Sequence, residues 1–162
     1  MGYKNVLLLV KVFSSLSVKE RNGWTLSIYG DGPLLKDLQQ YTSEYVRVYG
    51  FVQPKELSSI VKQHGFFLLL SELEHWGVAV HEAAIAGLPI LVSKGVVAGD
   101  KFVDTRNGYV INPSSFELKS TLKKICQQKD SELLTMSEHS LKISHKPDYN
   151  YWIRQLMSTL EK

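Results

Sequence analysis

Residues 66–71, FFLLLS, are apolar at every position up to the closing serine. A strand with one wet face alternates apolar and polar residues. An unbroken apolar run is the pattern of a strand covered on both faces, as in a parallel sheet flanked by helices. The chain around it alternates in the way such a sheet requires. WTLSIY (24–29), VRVYG (46–50), PILVS (89–93) and NGYVI (107–111) read as strands, each bounded by Gly, Pro, Asn or Asp. Helical spacing is found over residues 4–18, in LLKDLQQYTSEY after Pro33, in PKELSSIVKQHG opening on Pro54, and over about 77–86. From Ser114 onward three further helices are predicted, FELKSTLKKICQQ, SELLTMSEHSLKI and YNYWIRQLMSTLE. The expected fold is a doubly wound, Rossmann-like α/β layer with a parallel sheet and helices on both faces. One domain over 1–162 is expected, with sheet and crossover helices in 1–113 and carboxyl-terminal helices in 114–162. The chain opens on a helix although the next helices each follow a strand, so a first strand is expected to be missing from the front.

Composition narrows the function classes. With 44% hydrophobic residues in 162, the chain can build a core, and its net charge of +3 is too small and too dispersed for a nucleic-acid surface. The single cysteine, Cys126, forms no intrachain disulfide, and the five histidines lack metal-ligand spacing, so a reducing, cytoplasmic setting without metal is expected. The opening MGYKNVLLLVKVF is too short to span a bilayer. In YNYWIRQLMSTLE, residues Tyr151, Trp152, Leu156 and Leu160 fit a packing helix; a membrane-surface role is the alternative.

The chemistry concentrates in SELEHWGVAVHEAAIAGLPIL, residues 71–91. Ligands of open parallel sheets bind beyond the carboxyl ends of the strands, so the loop after FFLLLS and the start of the next helix face that crevice. The free N–H groups of such a helix start favour phosphate, and Gly77 would let a ligand approach the backbone. Glu82 lies five residues past Gly77, about 7–8 Å along the axis. On a helical wheel it shares a face with Val78, His81 and Ile85, which does not read as a solvated surface. A carboxylate there needs donors, either sugar hydroxyls or a nearby cation, unless it simply reaches water. Glu74 and Glu82 as a glycosidase dyad would stand about 5–9.5 Å apart. Helix rise plus loop puts their Cα atoms about 10 Å apart or more, which suits two anchors on an extended ligand better.

The segment from Glu74 to Ala83, EHWGVAVHEA, resembles the E-x7-E motif of the retaining family 4 glycosyltransferases, typically E-G-F-G-x-x-x-x-E-A. SIYGDGP, YGFVQPKEL, AGLPILVS and NGYVINP resemble further elements of that family, in the family's order over about residues 24–125. The resemblance implies the carboxyl-terminal, donor-binding lobe of a GT-B fold. It implies a nucleotide-sugar donor, a saccharide or lipid-linked acceptor, no metal and no cofactor. Position by position, Glu82 matches the glutamate that holds the ribose hydroxyls. Glu74 matches the one beside the donor sugar and is the catalytic candidate. His75, Trp76, Gly77 and Val78 match the segment on diphosphate and sugar, and Phe51 and Val52 the loop against the base.

The chain departs from the family pattern at several places. His75-Trp76 replaces Gly-Phe, His81 an aliphatic residue, Asp100 a Glu and Thr105 a Gly. The family's diphosphate-neutralising Arg and Lys lie on and after the first strand, and are expected to be absent with it. The amino-terminal lobe that contacts the acceptor is likewise absent, so this chain alone is expected to be inactive. In the full-length protein, contact with the inner face of a membrane is a further expectation. Two other readings stand beside this one, an epimerase- or phosphorylase-like lobe and a non-catalytic binding module. A nicotinamide dehydrogenase is disfavoured because Gly30-Asp31-Gly32-Pro33 lacks the third glycine of G-x-G-x-x-G.

Overall fold

The computed structural model describes residues 4–145. The expected helix over YNYWIRQLMSTLE lies outside the described residues. In chain order the elements are α1 (Val6–Ser14), α2 (Val18–Arg21), β1 (Leu26–Tyr29), α3 (Leu35–Gln39), β2 (Val46–Gly50) and α4 (Pro54–Val61). There follow β3 (Phe67–Leu69), α5 (Val78–Ile85), β4 (Ile90–Ser93), α6 (Gly99–Phe102), β5 (Gly108–Ile111), α7 (Ser115–Cys126) and α8 (Asp130–Ser144).

The predicted alternation is present and every strand pairing is parallel. The helix expected over 4–18 is divided in two. Ser15 Oγ donates to the Val12 carbonyl at the end of α1. Ser17 and Glu20 then form a reciprocal capping box that starts α2 afresh. Asn22, at φ 48°, ends α2 where Asn22-Gly23 was expected to. The four-residue α6 carried no sequence signal.

The core lies on two faces. On one, Leu9, Val10 and Phe13 of α1 and Leu118, Leu122 and Ile125 of α7 pack with Leu26, Val46, Leu91 and Ile111. On the other, Val80, Ala83 and Ala84 of α5 and Phe102 of α6 pack with Ile90 and Val92. β4 therefore sends Leu91 one way and its neighbours the other, and all four of its residues are buried. Each of Ile90, Leu91 and Val92 contributes about 1.5–3 kcal/mol by burial. Cys126 belongs to the first cluster, and burial pushes its thiol up to about 11, so it serves packing rather than reactivity.

The strands pair as β2-β1 and β3-β4-β5, so that β1 has no neighbour on its inner edge among the described residues. One expectation is corrected: β3, whose sequence reads as covered on both faces, is only partly buried at all three positions. The reason is pairing. Among the described residues β3 has a neighbour on one edge only, while β4, with two, is the strand that is fully enclosed.

Candidate functional site

The carboxyl end of β3 runs into a loop that is stitched to the segment following β4. The Glu74 N–H donates to the Gly95 carbonyl at 2.8 Å, the Val97 N–H to the Glu74 carbonyl at 3.3 Å, and the Ala98 N–H to the Trp76 carbonyl at 2.8 Å. Glu74 and Val96 thus form a short parallel bridge that extends the sheet past its regular strands. Gly77 follows at φ 86°, a left-handed conformation that favours glycine, and caps α5. A Cβ on it would lie 3.1 Å from Val96 Cγ1, so the need for glycine comes from the turn and its packing.

Glu74 is half-buried. Its Oε2 accepts from Ser71 Oγ at 3.3 Å and lies 3.9 Å from Lys4 Nζ. Lys4 reaches this position because α1 begins beside it. Asn5, at φ 49°, turns the chain into α1, and its Nδ2 donates to the Leu70 carbonyl at the end of β3, 3.0 Å away. Sequence reasoning left this lysine out, having expected the cations to be lost with the first strand. The signal was available: Lys4-Asn5 directly precedes the apolar helix, and helix starts in this fold face the crevice.

Glu82 is exposed, and so are Val78 (61%) and Ile85 (54%). The wheel reading of that face is therefore corrected: α5 buries Val80, Ala83 and Ala84, and the Val78-Glu82-Ile85 face is open among the described residues. His81 sits between the two faces. Its Nε2 is 3.2 Å from the Ser144 carbonyl and its ring stacks on Phe102 at 4.4 Å, which makes it a satisfied structural histidine tying α5 to α6 and α8. Trp76 is half-buried edge-on to Phe102, with Lys101 Nζ 5.0 Å from its ring centre, while His75 is exposed. Glu74, Trp76, Gly77 and Val78 are brought together. Phe51 (66% exposed) and the half-buried Val52 follow β2 in the other sheet.

Behind the site, Asn107 is wholly buried. It donates to the Phe102 carbonyl and Ser140 Oγ and accepts from the Asp104 N–H, while Ser140 Oγ donates to the Leu88 carbonyl. This network explains the Asn of NGYVI without a ligand. Nearby, the Arg106 guanidinium, hydrogen-bonded to Asp104, holds that carboxyl well below its ordinary value of 3.8, and His139 lies 3.1 Å away on α8. A depressed carboxyl contributes stability that is present above 3.8 and lost as pH falls below it. Thermal melts from about pH 5 to about pH 2 are expected to show a falling Tm that is shallower in Asp104→Asn, which cannot lose this charge. Equal slopes would show that the cluster does not couple to folding.

A parallel α/β lobe with helices packed on both faces of its strands fits the carboxyl-terminal lobe of a GT-B glycosyltransferase. The chain belongs to the glycosyl transferases group 1 family, whose model matches residues 2–139. That match favours a transferase over the epimerase-like reading. Among curated proteins, the GtfA subunit of the UDP-N-acetylglucosamine–peptide N-acetylglucosaminyltransferase of Streptococcus pneumoniae is 30% identical over 138 residues, covering 78% of this chain and 27% of the relative. A sulfoquinovosyl transferase of Arabidopsis thaliana is 29% identical over 98 residues, 57% of this chain and 19% of the relative. Thus the chain spans less than a third of the length of these curated relatives. Among solved structures, TarM superposes with a TM-score of 0.81 at 20% identity, over 98% of this chain and 32% of TarM. Anabaena HepE in complex with UDP and glucose gives 0.78 at 18% identity, over 100% of this chain and 46% of HepE. No helix among the described residues is long and apolar enough to cross a membrane.

Proposed function

We propose that this chain is the donor-binding lobe of a retaining glycosyltransferase that moves a hexose from a nucleoside-diphosphate sugar to a saccharide or lipid-linked acceptor. The observation that carries the reading is the Glu74 carboxylate, set beside Lys4 at the end of β3 and one short turn before α5. In this reading Glu82 accepts from the ribose hydroxyls and Glu74 from hydroxyls of the donor sugar. The first N–H groups of α5 and the backbone of His75 to Val78 take the diphosphate, and Phe51 and Val52 flank the base. Lys4 neutralises the leaving diphosphate. A unit charge pair at 4 Å is worth roughly 4 kcal/mol at an effective dielectric constant of 20, so one well-placed amine matters to the departure of that group. Placement and electrostatics, with no covalent role for the protein, are then sufficient for catalysis.

The same reading includes a further parallel strand between β1 and β3 and an amino-terminal lobe bearing the acceptor. The apolar sequence of β3 and its single neighbour support the strand, because a central-strand sequence on an edge leaves apolar surface half covered. Without both parts the chain is a poor catalyst. The whole protein would work in the cytoplasm, at the membrane face where its acceptor is lipid-linked.

Calorimetric titration with UDP, GDP and ADP, and with their sugar conjugates, tests the reading on this chain and on the full-length gene product. UDP is the nucleotide to try first, since the pneumococcal GtfA and Anabaena HepE structures were solved in complex with it. Selective binding of one nucleotide is expected. Glu82→Ala and Lys4→Ala should each weaken it about 10- to 100-fold, the cost of a lost charge-assisted hydrogen bond. Failure of the full-length product to bind any of the nucleotides would overturn the assignment.

A further inference from the structure

The bridge to Val96 holds the backbone of Glu74 but not its side chain, yet a donor-sugar contact requires its carboxylate in one orientation. Two wholly buried serines lie directly beneath it: Ser71, the last residue of the FFLLLS run, and Ser93, the last residue of β4. The Ser93 hydroxyl donates to the Ser71 carbonyl. The Ser71 hydroxyl donates in turn to Glu74 Oε2 at 3.3 Å, longer than the roughly 2.5–3.0 Å usual between a hydroxyl and an oxygen acceptor, as bonds in ligand-free sites often are. A buried hydroxyl without a partner is costly, so Ser71 has a reason to stay aimed at this one acceptor. Among the described residues both protein contacts to the carboxylate, from Ser71 and from Lys4, fall on Oε2. Oε1 is the oxygen left to accept from a ligand.

We propose that Ser71 is a positioning residue for Glu74: backed by Ser93, it fixes Oε2 so that Oε1 meets the hydroxyls of the donor hexose. The inference rests on the donor-lobe reading and adds to it a division of labour between the two carboxylate oxygens. Ser71 then affects the sugar and not the nucleotide.

Two measurements on the full-length protein test this. The first needs no ligand. With carbon-13 in the glutamate side chains, the Cδ resonance of Glu74 (assigned by its loss in Glu74→Ala) is expected to move in Ser71→Ala and to return in Ser71→Thr, which restores the hydroxyl. An unmoved resonance in Ser71→Ala would overturn the proposal. The second compares affinity for UDP-glucose with affinity for UDP. Ser71→Ala is expected to lower that ratio about tenfold with UDP affinity unchanged, and Ser71→Thr to preserve it. A merely structural serine would weaken both ligands together, and that result, or an unchanged ratio, would also overturn it. If the unsubstituted protein binds neither UDP nor UDP-glucose, the donor-lobe reading falls, and the ligand role assigned to Ser71 falls with it; the resonance then still decides whether the hydroxyl holds the carboxylate.

Discussion

Gly108→Ala is expected to lower Tm by about 10 °C or more, or to prevent folding altogether. Gly108 opens β5 and pairs with Ile90, the first residue of the most enclosed strand. A Cβ built there falls 1.9 Å from the Ile90 carbonyl oxygen and 2.9 Å from its carbonyl carbon. Backbone atoms cannot swing aside as a flexible side chain can. Relief requires β5 to part from β4, and the parting also strains the neighbouring Asn107, whose amide links the Phe102 carbonyl to Ser140 on α8. Overpacking of this kind costs roughly 3 kcal/mol or more, which converts to the stated shift for a chain of this size. Circular dichroism melts of the wild type and the variant measure it. A Tm within about 2 °C of wild type would show that the two strands can separate locally without loss of the core.

The elements that were legible in the sequence are those whose causes are local. FFLLLS, WTLSIY and PILVS carry their own β-formers, Pro54 marks a helix start, and Asn22 marks a helix end. The spacing of Glu74 and Glu82 placed one on a loop and the other on the helix behind it, as found. The features that escaped depend on distant partners. Whether a helix face is wet is decided by what lies across from it, and nothing in VAVHEAAI tells that Val80 and Ala84 face the core while Val78 and Ile85 are open. His81 is a satisfied histidine, but its partner, Ser144, is 63 residues away and nothing local names it. Lys4 was overlooked for the same reason: only the bond from Asn5 to Leu70, across 65 residues, brings it to Glu74. The division of the strands into two sheets was half legible. The sequence predicts that WTLSIY lacks its inner neighbour, but not that β3 is left with a single neighbour as well.

Gly95→Ala is expected to abolish donor binding while leaving the lobe folded, the opposite outcome to Gly108→Ala from the same chemical change. Gly95 lies outside the regular strands, where the loop bearing Glu74 crosses the segment after β4. A Cβ at this position would be 2.0 Å from the Glu72 carbonyl oxygen and 2.7 Å from that of Ser71. Here the nearest obstructing carbonyl, that of Glu72, belongs to an exposed stretch that can retreat, so the clash is relieved by moving residues 72–75 rather than by opening the core. The retreat breaks the bond from the Glu74 N–H to the Gly95 carbonyl and carries Glu74 away from Lys4 and from the start of α5. In the donor-lobe reading this removes two or three charge-assisted contacts together. At about 1.5–3 kcal/mol each they amount to roughly 4 kcal/mol, or about 1,000-fold in affinity. Calorimetry with UDP-glucose on the full-length protein reads the loss, and a melt of the same sample, with Tm lowered by no more than about 5 °C, shows that the core survived. Retained affinity would mean that the Glu74 loop does not contact the donor; lost folding would mean that the bridge between Glu74 and Val96 is part of the core.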